Sequence, residues 1–584
     1  MVLSFTDWLI IGIFLLAIIF ISVVAARISG KSKEEFFLAG KSMPWWLLGF
    51  SMVATTFSAD TPNLVTGFVR EGGVAKNWAW WSFLITGMVT VFLYAKLWRR
   101  SGVLTDLEFY ELRYGGKAAA FLRGFRAVYL GLFFNCLIMG SVILAAIKIS
   151  SILLGFTPLQ TVLISSVVVG AYSALGGIRG VIWTDFFQFS IALIGAFYTA
   201  YIVLNLPEVG GLQGLLSDEH VQSKMDFIPD FSNRSLVISM FIVPLAVQWW
   251  SVWYPGAEPG GGGYIAQRML AAKNETHAIG ATLFFNLAHY ALRPWAWIIV
   301  ALASIILFPD LESIKSVFPN IKDQYLGEDI AYPVMLTFLS PGWLGLVVAS
   351  LIAAFMSTIS THLNWGSSYL INDFYQRFLR PEASEKELVL MGRLSTILLM
   401  AISGTLALTI LENASQAFSI LLLSGAGTGA IFLLRWFWWR INAWTEIGGM
   451  VSSTILAFIL TFSVDEETLK NEFVDPFTTK LLIATMVTSI VWVLITLITK
   501  QEEEDVIKKF VSKVQPGMGW SRFKAQKSNV GLAVLLIFVG TVGTYAALFS
   551  LGNFIYGNVS YGILLLLTFL SSMYLILSSW KRIV

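Results

Sequence analysis

Four hydroxyl side chains lie within five residues of an otherwise apolar stretch, at Ser357, Thr358, Ser360 and Thr361. In a helix, residues 357, 360 and 361 share one face. A hard cation prefers oxygen ligands, and in an apolar bundle hydroxyls are joined by backbone carbonyls freed where a helix unwinds. A single hydroxyl more often bonds back to a carbonyl one turn earlier or tightens helix packing. Four hydroxyls together favour the binding of a hard cation.

Two apolar stretches are interrupted in ways that an α-helix does not tolerate. The first, Ser51-Met-Val-Ala-Thr-Thr-Phe-Ser-Ala-Asp60-Thr-Pro62, contains a carboxylate and a proline. The second, Trp253-Tyr-Pro-Gly-Ala-Glu258-Pro-Gly-Gly-Gly-Gly263, contains two prolines and five glycines, which cannot continue a helix. Paired broken helices at equivalent places in two halves indicate a transporter with inverted repeats. The alternative is an ordinary proline kink and a flexible loop.

Another apolar stretch carries Asn286, His289 and Arg293, spaced so that all three share one helix face. A lone arginine near mid-membrane costs at least ~2.5–3.5 kcal/mol, so Arg293 must meet a carboxylate, carbonyls, water or a solute. It is therefore either a solute anchor or the partner of Asp60 or Glu258. The predicted solute site comprises Thr56, Asp60, Thr61, Glu258, Asn286, His289 and Arg293.

The elements that must position these residues are apolar segments that recur from end to end. Of the 584 residues, 56% are hydrophobic and 13% are charged, against about 25% charged in an ordinary soluble protein. This composition excludes a soluble enzyme and predicts an all-α, polytopic membrane protein. A net charge of +3 with scattered basic residues argues against nucleic-acid binding. The fifteen predicted spans lie near 6–26, 45–69, 77–98, 120–150, 157–175, 181–205, 235–256, 276–308, 331–374, 388–411, 414–434, 442–462, 479–499, 529–551 and 558–580.

The basic residues predict the orientation of the chain. With the N-terminus outside, most of the 39 Lys and Arg residues fall in the inside loops, among them 96–126, 268–273, 435–440 and 500–527. This is the positive-inside pattern. It predicts a plasma-membrane protein, in a bacterium the inner membrane, with its C-terminus in the cytoplasm.

The two breaks open successive blocks of five spans. Because five is odd, the second block is inserted upside down relative to the first. The predicted organisation begins with an accessory helix and loop (1–44), the first repeat (45–205) and an external loop (206–234). The second repeat (235–434) follows, and then four accessory helices (435–584) with a solvated cytoplasmic linker over 500–528.

The energy source follows from what the sequence lacks. No phosphate-binding loop of the G-x-x-x-x-G-K-[ST] type is present, so an ion gradient is the expected driving force for uphill transport. A membrane sensor or channel with the same fold is the rival hypothesis. A membrane-embedded enzyme is not expected, because the four histidines and the single Cys136 form no catalytic pattern.

Four stretches resemble the sodium:solute symporter family, which has the LeuT-type five-plus-five inverted-repeat fold. They occur in family order over residues 35–375. They are Glu35-Phe-Phe-Leu-Ala-Gly-Lys-Ser-Met-Pro-Trp-Trp46, Tyr172-Ser-Ala-Leu-Gly-Gly177 with Val181-Ile-Trp-Thr-Asp-Phe-Phe-Gln188, Tyr264-Ile-Ala-Gln-Arg268-Met-Leu-Ala-Ala-Lys273, and Ala353-Ala-Phe-Met-Ser-Thr-Ile-Ser-Thr-His-Leu-Asn364 with Asp373-Phe-Tyr375.

The resemblance implies a sodium-coupled symporter that imports a small organic solute by alternating access, with one or two sodium ions and no organic cofactor. Its partners would be the solute and the lipid bilayer, with no obligatory protein partner. The conserved sodium site of the family would fall on Ala54, Phe57, Ala354, Ser357 and Thr358.

A second sodium site, present in some members, would match Asp185, Ser360 and Thr361. Asp185 has a rival interpretation from the residues themselves. Thr184-Asp185 would then be the polar start of the sixth span and cap its N-terminus.

The sequence departs from the sugar-binding pattern of the family at three positions. The acidic contact of the third span falls on Ala79, the glutamine of the eleventh span on Leu422, and the tyrosine that caps the sugar on Glu258. Hexose recognition in that pose is therefore not expected. Arg293 and His289 slightly favour a carboxylate or other anionic solute over a sugar or polyol.

Overall fold

The fold is all-α in the part of the chain that the computed structural model describes, residues 3–29, 38–56, 58–103, 105–173, 178–252, 258–470, 472–523 and 529–583. Ten helices there are long and apolar enough to cross a membrane, and five shorter apolar helices accompany them. The predicted all-α, polytopic class is confirmed. The count of fifteen spans stays a prediction.

The helices are numbered in chain order. They are α1 (Phe5–Ser29), α2 (Trp45–Thr55), α3 (Asp60–Gly72), α4 (Val74–Ser101), α5 (Gly116–Leu153), α6 (Pro158–Ser173), α7 (Ile178–Leu204), α8 (Arg234–Trp250), α9 (Gly263–Ala271), α10 (Glu275–Leu307), α11 (Trp343–Leu379), α12 (Glu385–Thr409), α13 (Ala414–Ser424), α14 (Gly429–Leu434), α15 (Ala443–Phe462), α16 (Pro476–Ile498), α17 (Glu504–Val514), α18 (Val530–Ile555) and α19 (Val559–Ser578).

Both predicted helix breaks are present. The first separates α2 from α3, and Pro62 lies in the first turn of α3, where its missing N–H costs nothing. The second separates α8 from α9. Gly260 and Gly261 there both have a φ of +85°. Glycine adopts this conformation at little cost, whereas residues with a side chain rarely adopt it.

Helix packing relates the two sets of five. The first helix of each set packs on the second helix of the other, α2 on α10 and α9 on α4. Likewise α5 packs on α12 and α6 on α11. This reciprocity is the one expected of two structurally equivalent repeats. The exact domain boundaries stay a prediction.

One predicted span is wrong in its extent. The sequence predicts a single helix over 331–374, but a short helix over Ala331–Leu336 ends before Pro341-Gly342, and α11 begins only at Trp343. Gly342 has a φ of +91°. A Pro-Gly pair is a strong turn signal, and here it interrupts the apolar run.

The prediction of a solvated linker over 500–528 is wrong for the part that the structure describes. Helix α17 buries one face, formed by Ile507, Phe510, Val511 and Val514, and Trp520 beyond it is fully buried. The charged residues that dominate this segment lie on the opposite face. Residues 524–528 lie outside the described part.

Candidate functional site

Two adjoining cavities lie between the broken helices and α10. The main cavity, of about 80 Å³, is lined by Thr56, Asp60, Thr61, His289 and Arg293 among others. The side cavity, of about 40 Å³, is lined by Thr56, Glu258, Asn286 and His289 among others. Every solute-site residue predicted from the sequence therefore lines one cavity or both, and Thr56 and His289 lie between the two.

A π-helical turn in α10 sets the positions of two of these residues, His289 and Arg293. It covers Ala288–Leu292 and ends at Arg293, directly before Pro294. Proline lacks an N–H and its ring crowds the carbonyl four residues earlier, so a wider turn accommodates it. Such turns are frequent at functional sites.

Asn286 and His289 lie where the cavities meet. Thr56 Oγ1 lies 3.2 Å from His289 Nδ1. The Asn286 amide donates to the Thr282 carbonyl at 2.8 Å, whereas its Oδ1 is buried without a hydrogen-bond partner among the described residues. A Cβ on Gly87 would come within 1.7 Å of that oxygen, so Asn286 requires a glycine opposite it.

Arg293 contacts the unwound end of α2. Its guanidinium donates to the carbonyls of Val53 at 3.4 Å and Thr56 at 3.3 Å, and it lies 5.3 Å from the ring centre of Trp297. Asp60, which accepts from Ser141 Oγ at 3.3 Å, lines the same cavity. The main cavity is therefore lined by one carboxylate, that of Asp60, and one guanidinium, that of Arg293.

The carboxylate of Glu258 is paired with Arg126, and Arg435 lies 3.9 Å away. Arg435 also reaches Glu446 at 3.5 Å and Tyr110 at 2.8 Å. The side chains of the four charged residues are at most 2% exposed. The sequence predicts Glu258 as one possible partner of Arg293, whereas in the structure Glu258 pairs with Arg126.

Four of the residues implied for the first sodium site lie in the described structure. Ala54 is in the last turn of α2, and Ala354, Ser357 and Thr358 are in α11; all four are buried. Phe57 lies outside the described residues. Thr358 Oγ1 is buried and has no hydrogen-bond partner within the described part of the chain, and Thr358 lines the main cavity.

Asp185 connects four helices. It accepts from Ser51 Oγ of α2 at 2.7 Å and from Ser357 Oγ of α11 at 3.0 Å. Arg268 of α9 lies 3.8 Å away and donates to Thr55 Oγ1 at 3.0 Å. The interpretation of Asp185 as a helix cap is wrong, because α7 begins at Ile178, two turns earlier.

Ser360 and Thr361 lie next to Ser357 on α11. Ser360 is buried and Thr361 is half-buried. In the described structure no hydrogen bond joins either hydroxyl to Asp185. Only Ser357, of the α11 hydroxyls, is in direct contact with that carboxylate.

Sequence reasoning missed the buried arginines around the site. The positive-inside pattern predicts cytoplasmic loops for Arg126, Arg268 and Arg435, yet each is about 1% exposed. Their charge made them look solvated. Arg126 and Arg268 lie within α5 and α9, and Arg435 directly follows α14. Their mainly apolar sequence neighbours are the signal that identifies them.

Comparison with known proteins identifies the family. The sequence model described as "Sodium:solute symporter family" matches residues 36–455, well over half of the chain. The chain belongs to the sodium:solute symporter family. The resemblance predicted from four sequence stretches is thereby confirmed, as are transport, symport and a multi-pass membrane protein. The family comprises transporters and not enzymes.

Two individual relatives show low sequence identity to this chain. This symporter is 27% identical over 477 residues to the sodium/glucose cotransporter of Vibrio parahaemolyticus, covering 79% of this chain and 86% of the relative. It is 28% identical over 466 residues to sodium/glucose cotransporter 1 of Oryctolagus cuniculus, covering 73% and 67%.

A solved structure supports the fold. The substrate-bound, outward-open state of a Na⁺-coupled sialic acid symporter superposes with a TM-score of 0.65 and 19% identity, covering 86% of this chain and 99% of the other. At that identity the likeness shows the LeuT-type fold alone.

Proposed function

We propose that this symporter uses the sodium gradient to import a small organic solute by alternating access across the plasma membrane, with its N-terminus outside. The observation that carries the proposal is the Thr358 hydroxyl. It is buried without a partner in the described structure, and Thr358 lines the main cavity together with Thr56 and Ser58 of the break between α2 and α3. An unsatisfied buried hydroxyl costs about 1–3 kcal/mol. A sodium ion held by Ala54, Phe57, Ala354, Ser357 and Thr358 would supply the missing interaction.

A second sodium ion is proposed at Asp185, Ser360 and Thr361. Asp185 and Arg268 carry opposite charges within 3.8 Å, so a cation there would compete with Arg268 for the carboxylate. Two sodium ions entering together would contribute ~4.6 kcal/mol at 100 mV, from about 2.3 per charge. That energy is sufficient for uphill solute import, and the alternative of a sensor or channel is not favoured.

For the solute, we propose a polyhydroxylated molecule, a sugar or polyol. Such a solute can donate hydroxyl hydrogens to Asp60 and accept hydrogen bonds from Arg293, which line one cavity. Trp80 lines the same cavity and offers an apolar ring. The similar proteins named sodium/glucose cotransporters support this class, although Ala79, Leu422 and Glu258 argue against their pose for a hexose.

A carboxylate or other anionic solute is the second candidate. It is favoured by Arg293 and His289, both of which line the main cavity. It is disfavoured by Asp60, whose negative charge would lie beside the solute.

Uptake into proteoliposomes tests both parts of the proposal. Labelled sugars, polyols, monocarboxylates and amino acids are compared with an inward sodium gradient, with an equal potassium gradient, and with none. We expect sodium-dependent accumulation of a sugar or polyol. Accumulation of a carboxylate would select the second candidate, and equal uptake in potassium would reject sodium coupling.

A further inference from the structure

The C-terminal part of the described chain packs onto the predicted cytoplasmic side of the two repeats. We define residues Glu502 to Trp520, which include α17, as the C-terminal clamp. It lies beyond residue 455, where the match to the family ends. A solvated linker has no reason to bury aromatic side chains, whereas Phe510 and Trp520 are fully buried.

The clamp encloses Arg113, which ends a short helix over Glu108–Arg113 between α4 and α5. The guanidinium lies 5.4 Å from the ring centre of Phe510 and 4.9 Å from that of Trp520. It donates to the carbonyls of Arg435 at 2.8 Å and Ile441 at 3.1 Å. Arg113 thereby attaches the end of α14 to the clamp.

The clamp also makes polar and close-packed backbone contacts. Glu502 accepts from the backbone N–H of Gly115 at 2.8 Å and of Ala443 at 3.3 Å. Trp520 Nε1 donates to the Trp436 carbonyl at 2.7 Å. At Gly519, whose φ is +82°, a Cβ would come within 1.7 Å of the Phe437 carbonyl.

Two routes lead from the clamp to the second broken helix. In the polar route, Arg113 holds the backbone of Arg435, and the Arg435 side chain lies 3.9 Å from the Glu258 carboxylate. In the aromatic route, the ring centres of Phe510 and Trp436 are 6.3 Å apart, and those of Trp436 and Trp98 are 5.0 Å apart.

The aromatic route ends on the unwound backbone. Trp98 Nε1 donates to the Gly260 carbonyl at 2.8 Å. The residues reached by the two routes, Glu258 and Gly260, belong to the segment between α8 and α9, and Glu258 and Gly261 line the side cavity.

The geometry points to the C-terminal clamp as a regulatory element that holds the side cavity closed toward the cytoplasm. Because the routes end on the broken helix, releasing the clamp frees the segment over 258–263 to move. The inference rests on the proposed function in one respect, that the cavity opens to the cytoplasm during transport.

Thiol labelling tests the clamp independently of transport. Cys136, the only cysteine of the chain, is replaced with Ser, and the reporter Ile265→Cys is placed in the side cavity, where Ile265 is buried. A membrane-impermeant maleimide is applied to inside-out and right-side-out vesicles without sodium or solute. The readout is the rate of labelling from each side.

The variant Gly519→Ala is compared with Gly557→Ala. Gly557 has a similar φ of +77°, but a Cβ there meets nothing within 4 Å, so it controls for backbone strain alone. We expect Gly519→Ala to raise the labelling rate from the cytoplasmic side about tenfold, equivalent to ~1.4 kcal/mol, and Gly557→Ala to leave it unchanged.

A milder variant, Trp520→Phe, keeps an aromatic side chain but removes the indole N–H that donates to the Trp436 carbonyl, and we expect a smaller increase. Equal labelling of both variants and the control, at normal abundance, would overturn the clamp. So would an increase only from the outside. If the labelling changes as expected while the unmodified protein shows no sodium-driven uptake, the proposed function fails and the clamp stands.

Discussion

Arg126 of α5 and Glu258 of the second broken helix form an ion pair in which each side chain is only 1% exposed. The pair joins a continuous helix of the first repeat to an unwound segment of the second. Burying two charges is costly, so such a pair is weak evidence for stability as a whole. Removing only one partner is strongly destabilising, because the other charge is then left buried without a partner.

Arg126→Gln should therefore lower the free energy of unfolding by roughly 3–5 kcal/mol, the usual cost of breaking a buried pair from one side. Arg435, 3.9 Å from Glu258, would offset part of this loss. The double variant Arg126→Gln with Glu258→Gln should recover much of the lost abundance. Thermal unfolding in detergent and abundance in the membrane measure both effects.

Arg123→Gln is the matched control for Arg126. Arg123 lies one turn earlier in α5 and pairs with Glu111 and Asp373, but its side chain is 16% exposed. We expect a smaller loss there, because Arg123 is more exposed than Arg126 and water can solvate Glu111, which is 31% exposed, although Asp373 stays buried at 3%. Equal losses in both single variants, or no recovery in the double variant, would contradict the role given to burial.

The first sodium site makes a prediction about Thr358. Thr358→Ala should raise the sodium concentration for half-maximal uptake about tenfold, the equivalent of ~1.4 kcal/mol of ligand interaction. Ser357→Ala should also raise it, and the double variant more. The control is Ser350→Ala, two turns earlier in α11, whose hydroxyl donates to the Val347 carbonyl at 2.8 Å. Unchanged sodium dependence in Thr358→Ala with normal abundance rejects this ligand.

The second sodium site makes a prediction about cooperativity. If Asp185 is a ligand, Asp185→Asn should lower the Hill coefficient for sodium toward one while some transport survives. If Asp185 only neutralises Arg268 and holds Ser51 and Ser357, the variant should lose stability but keep its sodium curve. Wild type and variant are compared in sodium titrations of uptake, with thermal unfolding as the second readout. Equal Hill coefficients reject the second ion.

The sequence alone predicts those parts of the fold that depend on neighbouring residues along the chain. Pro62 cannot lie in the interior of a continuous helix, and the Pro-Gly run after Trp253 cannot continue one, so both breaks are predictable from the sequence. The spacing of Asn286, His289 and Arg293 survives in the structure as a row of side chains along the two cavities.

Partners were not predictable, because they depend on tertiary packing between distant segments. Glu258 lies 132 residues from Arg126, and no local pattern favours that arginine over Arg293. The same limitation applies to the C-terminal clamp. The amphipathic spacing of Ile507, Phe510, Val511 and Val514 is visible in the sequence, but the Glu and Lys residues around it made the segment look solvated.

Arg293 supports the last prediction, because its guanidinium contacts the backbone beside the first sodium site. It donates to the carbonyls of Val53 and Thr56, the neighbours of Ala54 and Phe57. If Arg293 acts as a brace, that is, if it holds these two carbonyls and so positions the sodium ligands, its loss should lower sodium affinity as well as solute uptake. As a solute anchor alone, it should raise the solute concentration for half-maximal uptake and leave sodium binding unchanged.

Arg293→Lys and Arg293→Gln separate these roles, since lysine keeps the charge but not the planar fork that reaches two carbonyls. We expect both variants to weaken sodium binding measured without solute, by about tenfold. Adding Asp60→Asn to Arg293→Gln tests whether the half-buried carboxylate of Asp60 contributes. Recovery of abundance and uptake in that double variant would assign Arg293 to charge neutralisation and strengthen the case for a neutral solute. Full sodium affinity in Arg293→Gln, with only the solute dependence altered, would reject the brace and favour the anionic solute.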